Sequence, residues 1–254
     1  MKICFLGTGT SQGIPVIGCD CPTCTSNDPK DTRLRTAGYV EQDETSFLID
    51  CGPDFRQQML QNKIKRLDAV LISHEHNDHV IGIDDLRPLN FNQKMDMPIY
   101  GNKRVLDELK FRFAYAFAER PYPGVPRLNL MSVKAYDSFN INELQVESLE
   151  IMHGKLPILG FKTEDLVYIT DAKTVPEKTI EKIRKCKVLV INALRYKEHN
   201  THFSLQEALD FIKLIEPERA YLTHLSHHFP PATQLEKELP TNVFIAYDGL
   251  WVDL

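Results

Sequence analysis

The chain has 254 residues, of which 43% are hydrophobic and 26% charged, a composition typical of a globular protein that can bury a core without disulfides. The formal net charge of −5 argues against a general nucleic-acid binder, which normally carries a basic patch. Because the N-terminal apolar run is too short for a signal peptide and no stretch approaches the ~18 apolar residues that cross a membrane, we predict a cytoplasmic protein without a membrane partner.

Short strand-like runs recur along the chain, and helical patterns separate several of them. In chain order, strands are predicted at residues 3–6, 38–40, 46–49, 69–72, 98–100, 145–151, 166–169, 188–191, 220–222 and 243–247. Helices are predicted at residues 54–61, 103–117, 175–185 and 204–215. This mixture indicates sheets with helices on their outer faces. The pattern alone leaves open whether they form one sandwich or two α/β lobes.

The irregular stretch between about residues 9 and 35 contains three of the six cysteines, at Cys19, Cys21 and Cys24. Loops of this length are uncommon unless they are functional or organised by a metal. Disulfides are not expected in a reducing compartment, so the cluster predicts thiolate ligands of a structural zinc ion. A closed zinc site needs a fourth ligand. His227 is the first candidate for it, and His228 and Cys51 are the alternatives.

The segment His74-Glu75-His76-Asn77-Asp78-His79 follows the apolar run at residues 69–72. A buried strand that ends there would place these side chains on a loop at the edge of a sheet. Since residues i and i+2 of an extended segment point the same way, His74 and His76 could bind one ion. Asp78 and His79 could bind a second. Imidazole ligands suit zinc, whereas carboxylates favour harder ions such as manganese.

This H-x-H-x-D-H pattern after an apolar strand resembles the signature of the metallo-β-lactamase superfamily. The resemblance implies one α/β domain over residues 1–254, folded as a four-layer αβ/βα sandwich. It also implies ligands after three further strand-like runs, where His153, Asp171 and His224 stand in the expected order. The implied ligand set is His74, His76 and His153 for one ion, Asp78, His79 and His224 for the other, and Asp171 as the bridge.

Further segments point to one branch of that superfamily. The C-x-C-x-x-C segment, together with T-H-x-S-H at residues 223–227, is similar to the phosphoribosyl 1,2-cyclic phosphate phosphodiesterases. In that family a histidine outside the metal ligands acts as general acid, and the matching position is His202. The segment around His202 also resembles the tRNA 3′-processing endonucleases. We predict His202 and the ligand Asp78 as catalytic residues, with Asp50 supporting the ligands from behind.

The resemblance implies a metal-dependent phosphoric diester hydrolase, in which a metal-bound hydroxide attacks a small phosphodiester such as a cyclic ribose phosphate. The expected cofactors are two divalent ions, manganese or zinc, and one structural zinc. One alternative is a tRNA 3′-processing endonuclease, although no long basic, Gly-rich segment is present to grip tRNA. The other is a non-catalytic metal-binding scaffold. Arg87, His199 and His228 receive no role in the site, and a homodimer is left open.

Overall fold

A computed structural model describes residues 1–254 and contains two sheets of seven strands each. From edge to edge, the first sheet consists of β14 (Leu250–Asp253), β1 (Lys2–Gly7), β2 (Ala37–Gln42), β3 (Thr45–Ile49), β4 (Ala69–Leu71), β5 (Met97–Gly101) and β6 (Leu128–Ser132). The second consists of β13 (Val243–Ile245), β12 (Arg219–Thr223), β11 (Val188–Asn192), β10 (Leu166–Tyr168), β9 (Leu156–Lys162), β8 (Leu144–His153) and β7 (Ser138–Ile141).

Seven α-helices connect the strands. They are α1 (Phe55–Gln61), α2 (Asn77–Val80), α3 (Arg87–Gln93), α4 (Lys103–Arg112), α5 (Glu177–Ile183), α6 (Leu205–Ile215) and α7 (Ala232–Leu235). Short 3-10 helices lie at Pro29–Asp31, Ile81–Leu86, Ala114–Ala116 and Glu236–Glu238. No helix combines the length and the apolarity that a membrane crossing requires.

Three hydrophobic clusters arrange these elements in four layers. The central strands are buried on both faces, and their side chains alternate between clusters with the period of two of a β-strand. In β3, Phe47 and Ile49 pack between the sheets with Tyr168, whereas Leu48 packs against the outer helices α1, α3 and α4. In β11, Leu189 faces the cluster that contains α5 and α6. The predicted four-layer αβ/βα sandwich is therefore confirmed.

The structure departs from the predicted elements at four strands and four helices. The strands β6, β7, β9 and β14 and the helices α2, α3 and α7 were absent from the prediction. The strand β9 is not recognisable from its sequence, because it contains Pro157 and Gly160, and both residue types are depleted in strands. Gly160 is needed for space, because a Cβ there would lie 3.2 Å from the carbonyl oxygen of Tyr168. The helix predicted at 103–117 ends at Arg112 and is followed by a 3-10 turn.

Parallel strand pairing brings several chain segments to one edge of the sandwich. The strands β3, β4 and β5 are parallel neighbours, as are β10, β11 and β12. Three non-glycine residues that follow these strands have left-handed backbones: Asp50 (φ 64°), Asp171 (φ 54°) and His224 (φ 57°). Such conformations cost about 1–3 kcal/mol each and persist where the surrounding structure enforces them. Their clustering at one edge indicates a functional site.

Candidate metal centre

The ends of four strands and the starts of two helices supply the side chains at this edge. His74 and His76 lie between β4 and α2, and α2 itself carries Asp78 and His79. The remaining side chains come from distant parts of the chain. His153 is the last residue of β8, Asp171 and His224 follow β10 and β12, and His202 precedes α6.

One group of donor atoms comes from His74, His76 and His153, and their donor atoms lie within 4.8 Å of one another. His74 Nε2 is 2.9 Å from His76 Nδ1. The ring centroids of His74 and His153 are 5.5 Å apart. His74 is fully buried, and His153 is 8% exposed. Three imidazoles at this spacing can hold one divalent ion.

A second group consists of Asp78, His79 and His224, again with donor atoms within 4.8 Å. Asp171 lies between the two groups. Its Oδ2 is 3.8 Å from His74 Nε2 and 3.6 Å from His79 Nε2, and its Oδ1 is 3.2 Å from His224 Nδ1. The carboxylate therefore faces donors of both groups.

The chemistry of these donors fits divalent metal ions. His79 Nε2 is buried and forms no hydrogen bond, although an Asp78 oxygen lies 3.2 Å away. A buried polar atom without a partner costs free energy, and a metal ion bound at that nitrogen would remove the cost. Imidazole nitrogens and carboxylate oxygens together are suitable ligands for zinc or manganese.

The pKa values at this edge favour the ligand forms of most of these groups. Burial lowers the pKa of His74 well below its usual range and that of His224 to about 4, so both rings stay neutral. Burial opposes ionisation of Asp171, but His224 and His79 hold its pKa well below the usual range. Burial likewise opposes protonation of His79, but Asp171 and Asp50 raise its pKa well above normal. A bound cation can replace the positive charge that His79 supplies.

Hydrogen bonds to residues outside the donor groups orient the histidine rings. Asp50 Oδ2 is 2.7 Å from His79 Nδ1, which directs His79 Nε2 to the centre. The backbone N–H and the hydroxyl of Ser73 both donate to Asp50, at 2.8 Å each. The Ser73 hydroxyl also lies 2.9 Å from His74 Nδ1. On the other side, His153 Nδ1–H donates to the carbonyl oxygen of Asp171 at 2.8 Å. Such partners fix the tautomer and orientation of metal-binding histidines.

The predicted catalytic residue His202 lies beside the donor groups. Its Nε2 is 3.2 Å from Asp171 Oδ2, and its ring stacks on His224 with centroids 5.0 Å apart. The side chain is 12% exposed, so solvent reaches it only partly. The capping box of Ser204 and Glu207 begins α6 two residues later and holds this loop at the helix start.

The cysteine cluster is brought together with a histidine from the far end of the chain. His227 Nδ1 lies 3.1 Å from Cys19 Sγ and 3.6 Å from the sulfur atoms of both Cys21 and Cys24. Of the three candidates for the fourth ligand, this geometry favours His227, since neither His228 nor Cys51 belongs to the group. Burial raises the pKa of the Cys21 thiol, but the Cys24 backbone N–H and His227 bring it down to about 6, which favours the thiolate.

Sequence reasoning missed several side chains that border the centre. The loop that carries the cysteines reaches it through Thr10, whose Oγ1 is 3.1 Å from His224 Nε2. From α4, Arg112 donates to the Asn77 side chain at 2.7 Å. Arg87, which received no role, is 2.5 Å from Asp84 in a local ion pair. Hydroxyl and guanidinium contacts of this kind leave no distinctive spacing in a sequence.

Comparisons with known proteins agree with this architecture. A family model of the Beta-lactamase superfamily domain matches residues 45–225. A crystal structure of a new diphosphatase from the PhnP family superposes with a TM-score of 0.92 at 34% identity, over 100% of this chain and 97% of that chain. An octanoyltransferase of Porphyromonas gingivalis is 44% identical over 252 residues, which is 98% of this chain and 51% of that protein.

A ribonuclease Z of Thermoplasma volcanium is 23% identical over 194 residues, which is 72% of this chain and 57% of that protein. The chain spans about half the length of the curated relatives it matches.

Histidine and aspartate donors at one edge of a four-layer sandwich define the class of metallo-β-lactamase-fold proteins. The chain belongs to the beta-lactamase superfamily and, within it, to the PhnP family. The superfamily predicted from the sequence is thereby confirmed.

Proposed function

We propose that the protein is a dinuclear metal-dependent phosphodiesterase that hydrolyses a small phosphodiester, in particular a cyclic ribose phosphate. The observation that carries the proposal is the position of Asp171. Its carboxylate faces His74 of one donor group and His79 and His224 of the other, while His202 Nε2 lies 3.2 Å away. Two adjacent cation sites with a proton donor beside them suit an in-line displacement at phosphorus.

In this proposal, His74, His76 and His153 would hold one ion, Asp78, His79 and His224 would hold the other, and Asp171 would serve both. The ions are manganese or zinc, and the Cys19, Cys21, Cys24 and His227 site takes a structural zinc. When bound, the catalytic ions supply a water nucleophile at neutral pH and offset negative charge on the phosphoryl oxygens.

The protein's own contribution to bond cleavage is a proton for the leaving oxygen. A ribose alkoxide is a poor leaving group and needs that proton as the P–O bond breaks. His202 can donate it from Nε2, because this nitrogen points towards Asp171 at the centre and histidine is the side chain that most often acts in general acid catalysis. Asp50 and Ser73 keep His79 and His74 oriented throughout.

The names of the relatives suggest three further activities. The PhnP-family relative is a diphosphatase, so a diphosphate is a related substrate to test. The ribonuclease Z similarity supports an RNA 3′-endonuclease as the second candidate. The name octanoyltransferase does not transfer directly, because about half of that relative lies outside the matched region. A non-catalytic scaffold is the least favoured, since all seven predicted ligands are present and grouped.

The deciding experiment compares four substrates on the purified, metal-loaded protein: a 1,2-cyclic ribose phosphate, a simple aryl phosphodiester, an organic diphosphate and a precursor tRNA. We expect turnover of the cyclic phosphate and of the aryl diester. Activity on the tRNA alone would replace the proposal with the endonuclease function. No turnover of any substrate at full metal occupancy would favour the scaffold.

We expect His202→Ala to slow hydrolysis of the cyclic ribose phosphate by about 10²–10⁴-fold, the range of general acid catalysis. The aryl diester should lose less than about tenfold, since its leaving group needs little protonation. Metal content should not change. His228→Ala, outside the donor groups, serves as the matched control. Equal losses on both substrates would remove His202 as the acid.

We expect Asp50→Asn to weaken metal binding by about 10–100-fold, the usual effect of removing a partner that orients a ligand. The amide has only one acceptor oxygen. If that oxygen accepts from His79 and the Ser73 hydroxyl as Oδ2 does, the amide nitrogen faces the backbone N–H of Ser73, which donates to Oδ1 in the wild type. Competition with a fluorescent chelator measures the affinity. Asp165→Asn, which alters only a partly exposed contact with Lys187, is the control. Unchanged affinity in Asp50→Asn would show that the aspartate has no supporting role.

A further inference from the structure

Arg104, at the start of α4, contacts two chain segments that carry ligands of the same donor group. Its Nε lies 2.8 Å from Oε1 of Glu75, the residue between His74 and His76. Its Nη2 donates to the carbonyl oxygen of Pro157 in β9 at 2.8 Å. Neither Arg104 nor Glu75 belongs to the proposed ligand set. One guanidinium therefore touches the histidine motif and the second sheet at the same time.

Pro157 belongs to the hairpin that carries His153. In the pairing of β8 with β9, Pro157 lies opposite Met152, and Leu156 lies opposite His153. The other two ligands of this first donor group follow β4, which belongs to the first sheet. The first donor group is thus drawn from both sheets. The spacing of its three rings depends on how the two sheets are fixed to each other at this edge.

A backbone hydrogen bond joins the same two segments at a second point. The N–H of Leu159 in β9 donates to the carbonyl oxygen of Ser73 at 3.0 Å. Leu159 stands two residues after Pro157, and Glu75 stands two residues after Ser73. One hydrogen bond alone would leave the motif free to rotate about that point. The contact through Arg104 removes this freedom, so it sets the orientation of residues 74–76 relative to β9.

The second donor group is held by other contacts. The hydroxyl oxygens of Thr10 and Thr36 lie 3.1 Å from His224 Nε2 and 3.2 Å from His224 Nδ1. Both threonines belong to the N-terminal segment before β2, whereas Arg104 belongs to α4. A change at Arg104 should therefore reach the metal position of the first donor group and spare that of the second.

The contact between Arg104 and Glu75 is poorly suited to stabilise the fold. The two side chains are 38% and 16% exposed, and ion pairs at such positions contribute little. The N–H at Nε is not aimed at the carboxylate, and Glu75 Oε2 is buried without a hydrogen-bond partner. A buried carboxylate oxygen without a partner costs free energy. Such a cost beside two metal-binding histidines indicates that the contact serves the geometry of the motif.

We propose that Arg104 is a positioning residue, which fixes the motif relative to His153 by holding Glu75 and the carbonyl group of Pro157 together. A guanidinium suits this task, because its nitrogens form a rigid planar fork that can hold two acceptors at a fixed separation. The proposal rests on the two-ion arrangement of the proposed function, since it concerns the ion of the first donor group. Arg104 acts on that ion through its two partners.

Three variants separate the charge from the geometry. Arg104→Met keeps an aliphatic stem and removes both contacts. Arg104→Lys keeps the charge, but a single ammonium group lacks the planar fork that reaches both partners. Glu75→Gln keeps the shape of the carboxylate and removes its charge. Lys103→Met is the matched control, since Lys103 stands beside Arg104 on α4 and pairs with the exposed Asp107.

The first measurement is the occupancy of each metal position, from anomalous diffraction of crystals equilibrated at a series of buffered zinc concentrations. We expect Arg104→Met to weaken zinc binding at the first donor group by about tenfold, the lower end of the usual effect of partners outside the ligand set. The second donor group and the cysteine cluster should keep their wild-type affinities. Arg104→Lys should recover part of the loss, and Lys103→Met should show none. Equal weakening at both donor groups, or no change at either, would overturn the proposal.

Hydrogen exchange of the zinc-loaded protein tests the contact itself. The peptide that covers residues 150–160 should exchange faster in Arg104→Met, because the hairpin loses one of its two attachments to the motif. The melting temperature should fall by less than about 4 °C, the effect of a partly exposed ion pair in a chain of this size. Unchanged exchange in this peptide, or a general loss of stability in place of the selective loss of one ion, would contradict a positioning role.

The double variant Glu75→Gln/Arg104→Met tests whether the two residues act as a unit. It should lose no more zinc affinity at the first donor group than Arg104→Met alone, because the two changes remove the same contact. Additive losses would overturn the proposal. A first donor group without zinc in the wild type would refute the two-ion arrangement itself. Equal zinc binding by the wild type and Arg104→Met would refute the role of Arg104 and leave that arrangement standing.

Discussion

Asp171→Asn is expected to lower the phosphodiesterase activity by about 10⁴-fold and to reduce the metal content of the purified protein. Each tenfold loss corresponds to 1.36 kcal/mol, so this effect amounts to about 5.5 kcal/mol of transition-state stabilisation. The size follows from the position of the residue. Its two oxygens face His74, His79 and His224, which belong to both donor groups. An amide of the same shape is a poor bridge, since one of its two polar atoms cannot bind a cation.

Metal analysis by mass spectrometry and turnover of the aryl diester measure the two effects together. The aryl ester is chosen because it depends little on protonation by His202, which also contacts Asp171. Asp107→Asn is the matched control, since Asp107 is an exposed partner of Lys103 on α4. Circular dichroism verifies the fold. Full metal content together with activity near the wild-type value would show that Asp171 does not bridge two ions.

The largest effect on stability is expected from Cys21→Ser, which should remove one zinc ion per chain and lower the melting temperature by about 10 °C. Loss of a structural metal is among the few mechanisms that cost about 4 kcal/mol or more. At roughly 2–4 °C per kcal/mol for a chain of this size, such a cost gives the expected shift. The cluster joins the N-terminal loop at residues 19–24 to His227 near the C-terminal end of the chain. Loss of the zinc ion would therefore release this loop from the C-terminal segment.

Two controls make this result specific. Cys186→Ser removes a partly buried thiol outside the cluster and should leave the zinc content unchanged. His227→Ala should lose the zinc ion, whereas His228→Ala should keep it, because only His227 faces the three sulfur atoms. We also expect a lower affinity for the catalytic metals in Cys21→Ser, since Thr10 of the same loop contacts His224. Unchanged zinc content in His227→Ala would assign the fourth ligand to another residue.

Much of the fold could be predicted because the central strands are strongly apolar runs that end at polar residues. In the runs at residues 69–72 and 188–191, every side chain is apolar, so both faces of each strand are apolar. The structure packs the two faces into different hydrophobic clusters. The strand β9 could not be predicted, because Pro157 and Gly160 are residue types depleted in strands, and the close contacts that favour Gly160 arise only in the assembled sheet. The end of α4 at Arg112 is likewise unmarked, since no glycine or proline follows until residue 121.

The sequence by itself determined the inventory of donors and their order: a dense motif at residues 74–79, single residues after later strand-like runs, and three clustered cysteines. These features are local, and strand periodicity is enough to place them at strand ends. The family resemblance implied how the donors group, and the tertiary structure shows what brings them together. Asp50, Asp171 and His224 reach the centre through left-handed backbones that the surrounding fold enforces, and no short-range signal predicts them.

The same reason applies to the pairs that the sequence left open. His227 meets Cys19 across 208 residues of chain, so its choice over His228 depends on how β12 ends against the N-terminal loop. His199, which received no role from the sequence, has its Nδ1 atom 3.1 Å from that of His202. Spacing identifies the residue types that can perform the chemistry. The three-dimensional fold decides the direction of each ring nitrogen, because that direction is set by hydrogen bonds to partners elsewhere in the structure.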